Sequence, residues 1–124
     1  MMLKNMHIGI VGLGKMGLLH AGILNSLDGV KITAIAEKEN LIANYVKNFM
    51  LDVSIYDDYN EMLESEKLDL VYITTPISSH LPVALSCIRN NVNFFIEKPL
   101  TKNLEESKTL CMELTKSPII HSIG

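Results

Sequence analysis

The sequence predicts an α/β fold: one domain over residues 1–124, built on a doubly wound parallel sheet with strand order 3-2-1-4-5-6. Three observations predict it. Short β-rich runs alternate with segments of three- and four-residue apolar spacing, the pattern of successive βαβ units. A glycine-rich turn separates the first run from the first helical segment. The length of 124 residues suits a domain that buries roughly two-thirds of its unfolded surface without a disulfide or metal staple.

Each element has its own signal. His7–Val11 is an apolar first strand that ends in glycines. The following helix sets Met16, Leu19, His20, Ile23, Leu24 and Leu27 on one expected inward face, and Asp28-Gly29 closes it. Val30–Ala36 is the second strand, followed by a helix with Leu41, Ile42, Tyr45, Val46 and Phe49 expected inward. Val53–Tyr56 is a short third strand, and Asp57 or Asp58 caps a small helix carrying Met62 and Leu63. Leu68–Ile73, the fourth strand, is apolar enough to be covered on both faces. Ser78 or Ser79 then caps a helix with Pro82 in its first turn and Leu81, Ala84, Leu85 and Ile88 inward. Asn90-Asn91 ends that helix, and Val92–Ile96 is the fifth strand. A last helix, introduced by Thr101–Asn103, is lined by Leu104, Ser107, Cys111 and Leu114. It stops at Ser117-Pro118 before a sixth strand, Ile119–Ile123.

Composition narrows the function classes. A net charge of -3, with basic residues scattered singly, argues against a nucleic-acid partner. No run approaches the roughly 18–20 apolar residues of a membrane span. The apolar run after Lys4 breaks at Lys15 with no cleavage site, unlike a secretory leader. Cys87 and Cys111 have neither CxxC spacing nor a nearby His pair, so they are expected to be small hydrophobes in a reducing cytoplasm, and no metal site is expected.

The chemistry-bearing residues gather at expected strand ends. Gly12-Leu13-Gly14-Lys15-Met16-Gly17 is a G-x-G-x-x-G between strand and helix, the context in which that pattern means dinucleotide binding on a Rossmann domain. Gly12 permits the tight turn, Gly14 leaves room for a pyrophosphate, and Gly17 lets the helix approach the strand. Backbone N–H groups of the loop from Leu13 to Met16 then face the phosphates, helped by the helix dipole. Glu37, at the end of the second strand, is placed to accept hydrogen bonds from ribose hydroxyls, which favours NAD. Lys38 beside it keeps NADP open. Thr74, Thr75 and Pro76 follow the fourth strand, where hydroxyls and carbonyls can line the nicotinamide side. His80 on its own reads more readily as a structural or exposed helix residue than as a catalytic one, and Glu97-Lys98-Pro99, which ends the fifth strand, reads alone as a surface ion pair.

Taken together, Gly12–Gly17, Thr75-Pro76 with His80, and Glu97-Lys98-Pro99 resemble the glucose–fructose oxidoreductase and inositol dehydrogenase (Gfo/Idh/MocA) family along essentially the whole chain. The resemblance implies that Lys98 is catalytic, reaching toward nicotinamide and a substrate hydroxyl. Glu97 would contact the nicotinamide ribose, His80 would belong to the cofactor site, and Pro99 would direct Lys98 through a cis peptide. Ile77 stands where many relatives have Asn, so no polar contact is expected there. The resemblance also implies a second, substrate-binding domain that these residues do not contain, and self-association through apolar surface near Ile77, Leu100 and the terminal strand. The expected function is hydride transfer between NAD(P) and a sugar, cyclitol or related hydroxyl compound. The alternative is a nucleotide-binding or interaction module without catalysis. A Tyr-x-x-x-Lys pair, the mark of short-chain dehydrogenases, does not occur.

Overall fold

The computed structural model describes residues 4–124. Six parallel strands, β1 (Met6–Val11), β2 (Val30–Ala36), β3 (Ser54–Tyr56), β4 (Leu70–Ile73), β5 (Asn93–Ile96) and β6 (His121–Ile123), form one sheet in the order β3-β2-β1-β4-β5-β6. Every pairing is parallel. This is the expected order, with the first two crossovers running to one side of β1 and the later ones to the other. Five helices connect the strands: α1 (Lys15–Asn25), α2 (Asn40–Phe49), α3 (Tyr59–Ser65), α4 (His80–Arg89) and α5 (Leu104–Thr115).

Alternation along the strands sends side chains to two cores. Ile8 and Ile10 of β1 join Ala21 and Leu24 of α1 and Val46 of α2 on one face. Val11, Val71, Ile73, Phe94 and Ile96 meet Met62, Val83, Cys87 and Leu110 of α3, α4 and α5 on the other. The register between β1 and β2 shifts between Ile8 and Gly9, which leaves Thr33 as an extra residue. Ile32 and Ile35 therefore reach the same core despite their odd spacing.

The helix faces differ from expectation. In α1 the buried positions are Gly17, Ala21 and Leu24, whereas Met16, Leu19, Ile23 and, just beyond the helix end, Leu27 are exposed. The segment is apolar nearly all round, so its spacing fits more than one face, and close approach to the sheet selects the small residues. In α2, Ala43 and Val46 are buried, Ile42 is half-buried, and Leu41, Tyr45 and Phe49 lie outside. Tyr45 and Phe49 instead contact each other, one turn apart, with ring centroids 4.6 Å apart. In α4, Val83, Ala84, Ser86 and Cys87 are buried, and Leu81, Leu85 and Ile88 are half-buried. In α5 the anchor is Leu110, with Ser107 and Leu114 half-buried and Leu104 and Cys111 exposed.

The caps resolve as well. Asp58, rather than Asp57, accepts the Asn60 N–H at the start of α3, and Asn103 accepts the Glu106 N–H at the start of α5. Neither Ser78 nor Ser79 caps α4, because Ile77–Ser79 forms a 3-10 turn that leads into it. The sixth strand is shorter than expected, and all three of its residues are exposed.

Candidate functional site

The chain leaves β1 toward β2 and leaves β4 toward β5, so the loops at their carboxyl ends diverge and open a crevice. A cleft of about 710 Å³ lies there, within the range of small-molecule sites. Four strand ends that the sequence pointed to line it. Gly12, Gly14, Lys15 and Met16 come from the β1–α1 turn, Glu37 and Lys38 from the end of β2, Thr74, Thr75, Pro76 and His80 from β4–α4, and Glu97 and Lys98 from the end of β5. Leu13 stands apart from this set. Its side chain is fully buried in the α1–α2 core, and its N–H is taken by the Glu37 carboxylate.

The glycine turn has the shape that a diphosphate needs. Gly12 has φ +91°, and a Cβ there would stand 2.9 Å from the Thr74 carbonyl oxygen. A Cβ on Gly17 would collide with the Gly12 carbonyl and come within 2.9 Å of Thr74 Oγ1. Gly14 differs, since a Cβ there would meet no atom within 4 Å and would project into open space. Gly12 and Gly17 are therefore required by the protein's own packing, whereas Gly14 keeps the cleft clear at the first turn of α1. Backbone N–H groups at that helix start are unsatisfied within the helix and carry its positive dipole end, which suits an anionic ligand. The residues present thus fit a dinucleotide.

Glu37 is anchored before any ligand arrives. One carboxylate oxygen accepts the Leu13 N–H, and the other accepts the Glu39 N–H at 2.9 Å. Each oxygen retains a further lone pair, so the carboxylate can still accept from hydroxyls in the cleft. Glu39, Ile42, Asp57 and Tyr59 line the same end of the cleft. Sequence reasoning missed these four as site residues, although Asp57 and Tyr59 follow the end of β3 on the same sheet edge, which signals them.

Thr74 and Thr75 diverge in role. Thr74 Oγ1 lies 2.6 Å from the Gly12 carbonyl and binds β4 to the glycine turn, so its hydroxyl is already engaged. Thr75 Oγ1 is buried with no hydrogen-bond partner, and such a group calls for a partner. Pro76 and half-buried Ile77 complete this wall.

Glu97 does not pair with Lys98. Its Oε1 lies 2.7 Å from His20 Nε2 on α1, and both side chains are largely buried. His20 in turn sits 5.2 Å from the Tyr72 ring and 5.3 Å from that of Phe95, which stack on each other. This histidine was legible only as an apolar-face position; the missing signal was tertiary. Lys98 is exposed at the cleft, next to a cis Lys98–Pro99 bond, and no carboxylate pairs with it among the described residues. His80 lines the cleft, and both its ring nitrogens face main-chain carbonyls. Among the described residues no group of three His, Cys, Asp or Glu side chains converges as a metal site.

The sequence profile of the Gfo/Idh/MocA oxidoreductase family, NAD-binding Rossmann fold, matches residues 6–124. The chain belongs to this family. Among Gfo/Idh/MocA relatives, a scyllo-inositol 2-dehydrogenase (NAD(+)) from Bacillus subtilis is 31% identical over 116 residues, covering 93% of this chain and 34% of the relative. A protein from Shewanella woodyi named for glycosyl hydrolase family 109 is 26% identical over 113 residues, covering 84% of this chain and 24% of the relative. The crystal structure of scyllo-inositol dehydrogenase from Lactobacillus casei with bound NAD(H) and scyllo-inositol superposes with TM-score 0.91 at 25% identity, covering 98% of this chain and 36% of that one. The chain thus spans about a third of the length of such dehydrogenases, and the matched part is their NAD-binding Rossmann region.

Proposed function

We propose that residues 1–124 act as the cofactor-binding unit of an oxidoreductase that moves a hydride between NAD and a ring hydroxyl, with a cyclitol or sugar as substrate. One observation carries the reading: a single cleft joins the side-chain-free turn at Gly14, the anchored Glu37, unpartnered Thr75 Oγ1 and uncommitted Lys98. Backbone N–H groups from Gly14 to Met16 hold the diphosphate, the Leu13 N–H being taken by Glu37. Glu37 accepts from the adenosine ribose and disfavours a 2′-phosphate, which gives NAD preference over NADP. Lys38, whose ammonium would attract such a phosphate, sits beside it.

Bound NAD supplies the hydride acceptor. Lys98 serves the proton side of the reaction: its amine, when neutral, takes the hydroxyl proton, and its ammonium stabilises the alkoxide that develops. Glu97, held by His20, meets the nicotinamide ribose, and Thr75 Oγ1 gains its partner from the nicotinamide end. Contacts that choose the substrate come from polypeptide beyond these residues. As the chain stands, its exposed apolar surface also favours association of copies with each other.

The Shewanella relative's name favours one second reading, in which the same bound cofactor serves glycoside cleavage rather than net oxidation. A fusion of residues 1–124 to the remaining two-thirds of the Bacillus relative separates the two. Accumulation of NADH with an inositol, lost by at least tenfold in Lys98→Ala with NAD affinity retained, supports the dehydrogenase. Turnover of a glycoside without NADH accumulation supports the second reading. Unchanged NADH formation in Lys98→Ala removes Lys98 from the chemistry.

A further inference from the structure

The β4–α4 loop and the turn after β5 are bridged by a side chain that the cofactor chemistry leaves unused. His80, the first residue of α4, is only 2% exposed. Its Nδ1 lies 2.9 Å from the Pro99 carbonyl oxygen and 3.2 Å from that of Leu100, and its Nε2 lies 3.1 Å from the carbonyl oxygen of Thr75. Carbonyls only accept, so a ring nitrogen holds one only where it carries the proton, and a neutral imidazole with its N–H on Nδ1 serves the Pro99 and Leu100 carbonyls. The ring presents one nitrogen to each loop.

The turn needs such an anchor. The parallel ladder between β4 and β5 ends at Ile96, and one further backbone bond, from the Glu97 N–H to the Ile73 carbonyl at 3.0 Å, marks its last rung. Lys98 and Pro99 lie beyond it and are both exposed, so burial does not hold them in place. Downstream, order resumes at Thr101, whose hydroxyl lies 2.8 Å from the Asn103 carbonyl and 2.6 Å from Ser107 Oγ. Between these two fixed points, the carbonyls of Pro99 and Leu100 are gripped from inside the protein by His80. A group one residue away from Lys98 thus has its position set by the first residue of α4.

We propose that His80 is a positioning residue: it fastens the Pro99–Leu100 backbone to the Thr75 loop and so sets where Lys98 enters the cleft. This rests on the reading of Lys98 as the group at the nicotinamide end. The two sides of the ring can be tested separately, because an asparagine amide nitrogen stands near the place of Nδ1 and a glutamine amide nitrogen near that of Nε2. His80→Asn keeps a donor toward Pro99 and Leu100, whereas His80→Gln keeps one toward Thr75.

The experiment uses the 15N-labelled 124-residue chain, first without cofactor. Backbone relaxation at Lys98 and Leu100 is expected to stay at the level of the sheet in wild type and His80→Asn. In His80→Gln it is expected to fall to the level of a loop tip, with Gly12 and Thr74 unchanged in all three proteins. NADH is then added. Signals of Gly12 and Gly14 are expected to shift alike in all three, while the Lys98 response in His80→Gln drops by more than half. Wild-type order at Lys98 in His80→Gln overturns the proposal. So does equal damage in both variants, or loss of structure at Gly12 and Thr74 as well, because His80 is then an ordinary core residue. If NADH shifts nothing in wild type while the relaxation pattern holds, the cofactor reading fails and His80 keeps its hold on the turn.

Discussion

Gly12, Gly14 and Gly17 share one motif but differ in what surrounds them. A methyl group at Gly17 meets backbone, which cannot retreat as a flexible side chain would. At Gly14 the same methyl group meets nothing, and the backbone there, with φ −70°, tolerates any residue. Stability and binding therefore separate between two positions that a sequence motif treats as equivalent. Cys87 makes a second residue-level case. It is wholly buried among apolar side chains of α4, and burial pushes its thiol from 9.0 up to about 12. The unfolded chain ionises this thiol above its ordinary value and the folded chain does not, so stability is intact below pH 9.0 and is lost as pH rises toward 12. At one pH unit above the ordinary value the loss is about 1.4 kcal/mol. Urea unfolding should show a decline from pH 8 to 10 that is smaller in Cys87→Ala by that amount; parallel declines would contradict it.

Among the elements, α5 shows how much the sequence disclosed. Its existence, its start after Thr101–Asn103 and its end near Ser117 follow from capping and proline signals that act locally. Its inward face does not. Leu104, expected inside, is 67% exposed, whereas Leu110 is 0% exposed between α4 and the sheet. The same holds for α1 and α2, where apolar residues occupy two sides of a short helix and three-dimensional packing selects the side with small residues. Strand order and the four strand ends of the cleft were legible, because glycines, acids and prolines announce turns through backbone chemistry. The roles of His20 and His80 were not, since their partners lie 77 and about 20 residues away. Leu110→Ala should destabilise the chain by about 2–5 kcal/mol, and Leu104→Ala by no more than about 0.5 kcal/mol. Equal effects in denaturant melts would show that α5 is seated differently.

At the scale of the whole molecule, the sheet is covered unequally. α3, α4 and α5 cover one face, while α1 and α2 cover the β1–β2 part of the other. Parallel sheets are normally buried on both faces. Here Tyr72 and Phe95 are only half-buried on the side of α1, β6 is exposed, and Leu19 and Ile23 form an apolar stripe along that helix, continued by Leu27 just beyond its end. Expected contributions from Ile77 and Leu100 are smaller, since both are half-buried and Leu100 packs on the core. Sedimentation across a concentration series should reveal self-association of the 124-residue chain, weakened by Ile23→Glu. A monomer at every concentration would contradict this use of the surface.

The most direct measurement is a calorimetric titration of NAD into wild type and Gly14→Ala, with melting temperatures recorded for both. If the diphosphate lies over the open turn at Gly14, wild type binds NAD and the variant binds at least tenfold more weakly, about 1.4 kcal/mol, with no loss in melting temperature. Equal affinity in the two proteins, or no binding by wild type, would place the nucleotide elsewhere and contradict the account.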